Sequence, residues 1–170
     1  SIYLGSNFGF KVGNKGFINI TGEYRNRDAV NRAGDYTGPV YSNDATEDAL
    51  LIAENDFFNT TGFENNRIME IGSAETQNLS VFINGELPIY DKASFYFHGG
   101  RNYREGKSKG FFRLPKDEDR VVLELYPNGF SPEILTDIQD DAIVIGFKGV
   151  KNNWDLDFSH SIGKNSLNYT

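Results

Sequence analysis

The feature that most constrains this chain is strict alternation. Six segments carry apolar residues at every second position, the period that gives a strand one apolar and one polar face. The first spans about 2–10, with Ile2, Leu4, Phe8 and Phe10 beside Ser6 on one side and Tyr3, Gly5, Asn7 and Gly9 on the other. The second, about 16–26, sets Ile18, Ile20 and Tyr24 against Asn19, Thr21, Glu23 and Arg25. The third, about 77–86, opposes Leu79, Val81 and Ile83 to Ser80, Phe82, Asn84 and Glu86. The fourth, about 93–100, opposes Phe95 and Phe97 to Ser94, Tyr96 and His98. The fifth, about 141–149, has Ile143, Ile145 and Phe147 against Ala142, Val144, Gly146 and Lys148. The sixth, about 154–163, alternates best: Trp154, Leu156, Phe158, His160 and Ile162 against Asp155, Asp157, Ser159, Ser161 and Gly163.

The connections alternate as well. Those near 11–15, 88–92 and 150–153 are short and carry turn residues: Gly13-Asn14, Pro88 with Asp91, and Asn152-Asn153. Those near 27–74 and 101–140 are very long, and structureless loops of such length are uncommon in compact domains. Short turns at one end and large loops at the other are the pattern of an outer-membrane β-barrel. A strand of ~10 residues tilted by ~45° spans roughly 23 Å, close to the apolar band of such barrels. The expected fold is therefore all-β: an antiparallel transmembrane β-barrel wall segment of about six strands in three hairpins, with long external loops carrying a short helix. Residues 1–170 are then a partial barrel domain, and the strand-like opening Ser1-Ile2-Tyr3-Leu4 reads as a piece of something longer. Trp154 and Tyr24 fall at opposite strand ends, where an interfacial aromatic girdle places them. A soluble β-sandwich, such as a carbohydrate-binding domain, alternates in the same way, but buries its apolar face under a second sheet.

In the first long connection Thr46 caps a helix, Glu47 and Asp48 occupy its first turn, Leu50, Ala53 and Phe57 share a face, and Gly62 lies past its end. In the second, Ser131-Pro132-Glu133 suits the start of one helical turn.

Composition removes several function classes. Cysteine is absent, which excludes disulfides, thiolate metal sites and thiol catalysis. The net charge of −7 disfavours nucleic-acid binding. Aromatics at 14% argue against disorder. Mean hydropathy is −0.50, and no run reaches the ~18–20 apolar residues of a membrane helix, which leaves a barrel open because its strands alternate.

No catalytic constellation is legible. Gly163-Lys164-Asn165 fails as a phosphate loop, with Phe158 where the earlier glycine belongs and Asn165 where Ser or Thr belongs. No nucleophile elbow or zinc-protease His pair occurs, and His98 and His160 lie in different strands. No enzyme activity, cofactor or metal is therefore expected. The acidic clusters Asp117-Glu118-Asp119 and Asp137 with Asp140-Asp141 lack EF-hand spacing and read as solvated loop, and Asn59-Thr60-Thr61 reads as a chance glycosylation triplet. Arg101, Arg104, Lys107, Lys109 and Arg113, interleaved with Tyr103, Phe111 and Phe112, form a basic run. Placed in an external loop, Arg101, Tyr103, Arg104 and Arg113 are candidates for contact with an anionic or sugar-like substrate or with lipopolysaccharide, against a solvated loop beside acidic neighbours. Asn19, Glu23, Asn84, Glu86, Asp155 and Asp157 have the chemistry of a hydrated lumen or of a plug-facing wall.

Several successions resemble one family. Tyr126-Pro127-Asn128-Gly129-Phe130-Ser131-Pro132-Glu133-Ile134 leads through Thr136-Asp137-Ile138-Gln139-Asp140-Asp141 to Gly146-Phe147-Lys148-Gly149. Asn153-Trp154-Asp155-Leu156-Asp157-Phe158-Ser159 and Gly163-Lys164-Asn165 follow. Together with Asn84-Gly85-Glu86-Leu87-Pro88, Phe95-Tyr96 and Arg101-Asn102-Tyr103-Arg104, this looks like the mid-barrel region of TonB-dependent outer-membrane receptors. The likeness covers most of 75–170 and is weaker over 1–35, where Gly16-Phe17-Ile18-Asn19-Ile20 precedes Tyr24-Arg25-Asn26-Arg27. It implies a barrel of about 22 strands closed by an N-terminal plug. It also implies nutrient uptake across the bacterial outer membrane, energised through TonB. The implied partners are the lipid bilayer with its lipopolysaccharide, TonB through an N-terminal part not in this sequence, and a surface lipoprotein or larger outer-membrane complex. Plug, TonB box and most of the strands have no counterpart here. Six strands are fewer than the roughly eight of the smallest barrels, so a portion of a larger chain, or one subunit of an oligomeric pore, is expected.

Overall fold

The computed structural model describes residues 1–55 and 68–169, so Phe57, Gly62 and Asn59-Thr60-Thr61 lie outside the described residues. Six strands form: β1 (Ile2–Val12), β2 (Gly16–Arg27), β3 (Glu75–Tyr90), β4 (Ala93–Lys109), β5 (Glu133–Lys151) and β6 (Trp154–Tyr169). One helix, α1 (Ala45–Glu54), lies between β2 and β3 in the chain. The strands pair in sequence order in one antiparallel sheet whose edges are β1 and β6, so the sheet is open. The chain divides into two compact units, Ser1–Asp28 with Thr76–Gly106 and Leu135–Thr170, and Ala29–Glu75 with Lys107–Ile134.

The first unit is the sheet. Pairing runs from Ile2↔Asn26 to Val12↔Gly16 between β1 and β2, and from Phe17↔Glu86 to Arg27↔Thr76 between β2 and β3. Between β5 and β6 it runs from Thr136↔Tyr169 to Lys151↔Trp154. The tight reversal before β6 uses Asn152 and Asn153 in left-handed conformation, with φ of 49° and 63°, the pair of positive φ values that a type I′ hairpin turn requires.

The six alternating segments all appear as strands, β1 and β2 slightly longer and β3 to β6 much longer than the alternation indicates. β4 continues through Arg101–Lys109, and β5 begins at Glu133. Arg101–Lys109 is polar on both faces apart from Tyr103, and the apolar Ile134, Leu135 and Ile138 of the β5 extension do not keep to one face, so alternation ends while backbone pairing carries on. Asp137, Asp140 and Asp141 accordingly stand in a strand, not in a loop. Pro88 lies within β3, and the turn falls at Asp91-Lys92. Ser131-Pro132-Glu133 begins no helical turn: the Gly110 N–H donates to the Pro132 carbonyl at 2.8 Å, and Glu133 opens β5.

The second unit shows that the long connections are not structureless. Val40, Ile68, Phe112 and Leu114 make a small core drawn from both connections, with Tyr36, Tyr41, Ile52 and Met69 packed against it. The cap of α1 is Asp44, two residues earlier than Thr46, and its carboxylate accepts from the N–H groups of Thr46 and Glu47 at 3.0 and 2.9 Å. An aspartate carboxylate reaches the first-turn donors as well as a threonine does and adds charge at the positive helix end.

Asp48 anchors this unit. It is 6% exposed, and its Oδ1 accepts from the N–H groups of Val40, Tyr41 and Ser42 at 3.0, 2.6 and 3.0 Å. Burial alone pushes the Asp48 carboxyl up, but the three backbone donors, with Lys116 nearby, hold it below the ordinary aspartate value. A folded-state value below the unfolded one contributes stability at pH above the unfolded carboxyl range, and that contribution is lost as pH falls through the folded value. Asp48→Ala should cost this unit about 1–3 kcal/mol by stranding the three donors. It should also remove the acid dependence of amide hydrogen exchange at Val40, Tyr41 and Ser42. Unchanged exchange at those three amides contradicts the anchor role.

Candidate functional site

Residues paired across an antiparallel ladder share a face, so the register sorts the sheet into two surfaces. On one, Leu4, Tyr24 and Leu79 form a row across β1, β2 and β3, and Phe8, Ile20 and Ile83 form the next. Ile143 lies opposite Ile162, and Phe147 opposite Phe158. Phe95 packs on Phe147 with ring centroids 5.2 Å apart. This apolar face is not covered: Ile143 is 48% exposed, Ile145 44%, Leu156 41% and Phe158 71%. No second sheet lies over it among the described residues.

The apolar face has a sharp border. One step of alternation beyond Ile143 and Ile162, the paired residues become Asp141 and Lys164. Arg101 bonds Asp141 there, Nε to Oδ1 at 2.5 Å and Nη2 to Oδ2 at 3.2 Å. One step beyond Tyr24 and Leu79, the pair is Asn26 and Gln77, and the Gln77 amide donates to the Tyr24 hydroxyl at 2.7 Å. Tyr24 thus keeps its ring on the apolar face and its hydroxyl on the polar border. Trp154, 71% exposed, marks the opposite end of the same face in β6.

The other face is polar and internally bonded. All six residues assigned by alternation to a hydrated interior stand on it. Asn19 lies opposite Asn84, and Glu23 opposite Ser80. Lys148 donates to Glu86 at 2.7 Å, Ser94 donates to the second Glu86 oxygen at 2.7 Å, and Asp157 lies opposite Lys148 in the ladder, with Asp155 two residues earlier. The Tyr96 hydroxyl donates to Asp157 at 2.7 Å, and the Lys148 ammonium stands 5.7 Å from the centre of the Tyr96 ring. The Tyr96 ring lies where a Cβ on Gly146 would be, so the glycine makes the floor on which the ring rests.

The basic run does not assemble as one site. Neighbouring residues of a strand point to opposite faces, so a run on β4 is split. Arg101 and Tyr103 fall on the side of Asp141, where the Tyr103 hydroxyl donates to Glu105 at 2.9 Å and to Asp137 at 3.5 Å. Arg104 falls on the polar face. Arg113 belongs to the second unit, where its backbone pairs with Phe130. Lys107 and Lys109 are ion-paired to Glu133 and Glu70 at 2.9 and 2.6 Å. The placement of Arg101, Tyr103 and Arg104 in an external loop is therefore corrected: all three are strand residues.

Arg104 instead joins residues that the sequence did not group with it. Tyr3, Glu23, Arg25, Asn78 and Asn102 line with it a concavity of about 400 Å³ on the polar face, bordered also by Arg27. The shared parity of Glu23 and Arg25 was a usable signal, but the alignment of β2 with β4 depends on register through β3. His98 and His160 lie on opposite faces, His160 across from Ile145. No protein-family model, no curated protein and no solved structure matches the chain.

Gly146→Val should displace the Tyr96 ring, break its bond to Asp157 and cost about 1–3 kcal/mol through overpacking. The thermal midpoint of the protein measures this. An unchanged midpoint would show that the ring does not depend on the glycine floor.

Proposed function

We propose that this chain is part of the wall of an outer-membrane β-barrel, in a non-enzymatic receptor that takes up a scarce nutrient with energy delivered through TonB. The observation that carries the barrel reading is the exposed apolar face, bordered sharply by charge and backed by a bonded polar face. In water such a surface would be a costly contiguous patch, whereas against lipid tails it is the ordinary outer surface of a barrel. The open edges of β1 and β6 call for further strands, because unpaired backbone groups in hydrocarbon cost several kcal/mol each, as a rough figure. The nutrient and TonB parts of the proposal rest on the motif succession in 75–170. On this reading the apolar face meets the bilayer, the border residues meet lipopolysaccharide, TonB engages a part of the protein outside this sequence, and a surface lipoprotein is a fitting partner for the external segments.

The absence of cysteine in these residues makes a labelling test direct. Phe158→Cys and Ser159→Cys, each made in the complete natural protein with any other cysteines replaced, place thiols on opposite faces. In native membranes Phe158→Cys should react with a lipid-soluble maleimide and resist a water-soluble one, while Ser159→Cys should show the reverse preference once the interior is opened. Equal reaction of both with the water-soluble reagent, in a protein that needs no detergent, would select the soluble β domain instead. The native mass discriminates further. A single chain several-fold heavier than 19.1 kDa supports the receptor, and a detergent-resistant ring of small copies supports a shared pore. Uptake that persists when TonB is deleted would overturn the energised-transport reading while leaving the barrel intact.

A further inference from the structure

We infer that Arg25 and Arg104 form an anion-binding strip on the polar face, built for a solute that carries carboxylate or phosphate groups. The inference rests on the barrel reading above, since that makes the polar face the hydrated interior. Its basis is how this sheet distributes and neutralises positive charge.

The chain carries a net charge of −7, yet the concavity lined by Tyr3, Glu23, Arg25, Asn78, Asn102 and Arg104 sets the guanidiniums of Arg25 and Arg104 beside one carboxylate. That carboxylate is already engaged, since the Tyr3 hydroxyl donates to Glu23 at 3.1 Å. Elsewhere in the strands some cations meet acids, while Lys11, Lys151 and Lys164 make no salt bridge among the described residues. Arg101 is held by Asp141, and Lys148, farther along the same polar face, is held by Glu86. The guanidiniums of Arg25 and Arg104 make no salt bridge or side-chain hydrogen bond among the described residues. Both side chains are exposed.

Two unneutralised guanidinium groups facing one hollow raise the local concentration of anions, and the planar fork of each matches a carboxylate or phosphate bidentately. The amides of Asn78 and Asn102 and the hydroxyl of Tyr3 add neutral hydrogen-bonding groups around the charge, which suits a hydroxylated or amide-bearing solute. Lipopolysaccharide phosphates are the other anions at hand in an outer membrane. They would reach the border of the apolar face, where Arg101 is already tied to Asp141, and not the face that holds Arg25 and Arg104.

The test uses the complete protein in detergent, with citrate and inorganic phosphate as probes and glucose as the uncharged control. Binding is read by calorimetry at low and high salt. The wild type should bind citrate, phosphate or both, more weakly as salt rises, and should not bind glucose comparably. Arg25→Gln with Arg104→Gln should weaken the anion by roughly tenfold or more, the loss of at least one charge-assisted contact. Arg25→Lys with Arg104→Lys should retain part of the affinity, and Arg101→Gln on the other face should leave it unchanged. Anion binding unaltered by the double Gln variant, or absent from the wild type, would overturn the strip. So would a double Gln variant whose only change is a lower thermal midpoint, which would make the arginines a contact for another part of the protein. The face-labelling test with Phe158→Cys and Ser159→Cys reports separately on the barrel reading, so either proposal can fail alone.

Discussion

The rest of this structure depends on the pairing register of one antiparallel ladder. Side chains alternate, so a slip of one residue between β5 and β6 would exchange whole faces: Ser159 would replace His160 opposite Ile145, and Asp157 would replace Phe158 opposite Phe147. The register resists that slip through its turns as well as its faces. Asn152 and Asn153 accept positive φ readily, and the two-residue turn they form fixes Lys151 opposite Trp154, from which the remaining pairs follow. The amphipathic character of the sheet is thus a product of local turn chemistry propagated along the strands.

On the polar face the same register sets packing. Two aromatic rings of this face lie over residues lacking a side chain. Tyr96 rests over Gly146, and Phe82 lies over Gly100. Glycine in a strand ordinarily weakens it, but here each provides the space that a neighbouring ring fills. The hydroxyl of Tyr96 then finds Asp157, and Lys148 links the ring to Glu86, so carboxylates from β3 and β6 are tied together across the intervening strands. This network links side chains of β3, β4, β5 and β6 beyond their backbone pairing.

How much of this was legible beforehand follows from where alternation carries information. All six strands, the turns at Gly13-Asn14 and Asn152-Asn153, and the polar face with Asn19, Glu23, Asn84, Glu86, Asp155 and Asp157 could be read, because one face is apolar along their cores. The strand extensions Arg101–Lys109 and Glu133–Asp140 could not, since the first is polar on both faces apart from Tyr103 and the apolar Ile134, Leu135 and Ile138 of the second fall on both faces. That is why Arg101, Tyr103 and Arg104 were grouped in a loop when they stand on two different faces. The second unit was hidden for another reason. Its core of Val40, Ile68, Phe112 and Leu114 joins two connections distant in sequence, and no periodicity marks such a meeting. Asp48 was seen as a first-turn acid, while its role in gathering the amides of Val40, Tyr41 and Ser42 depends on a chain reversal that only the fold supplies.

The treatment of charge differs between the two faces in a way that dielectric surroundings explain. On the apolar side, charge begins only at the border, and Arg101 meets Asp141 there with two bonds while Lys164 stands opposite that same Asp141. On the proposed barrel reading this border adjoins hydrocarbon, where an unpaired charge would be costly, and pairing there fits that reading. On the polar side, water can solvate a bare guanidinium at little cost, and Arg25 and Arg104 stay uncommitted at the loop end of the strands. Lys148, lower on that face, is committed to Glu86. The difference lies in placement: the lower network knits strands together, whereas the upper residues surround a hollow. A wall that only needed to be hydrated would have no reason to concentrate guanidiniums at that hollow in an acidic chain, and an incoming anion supplies one.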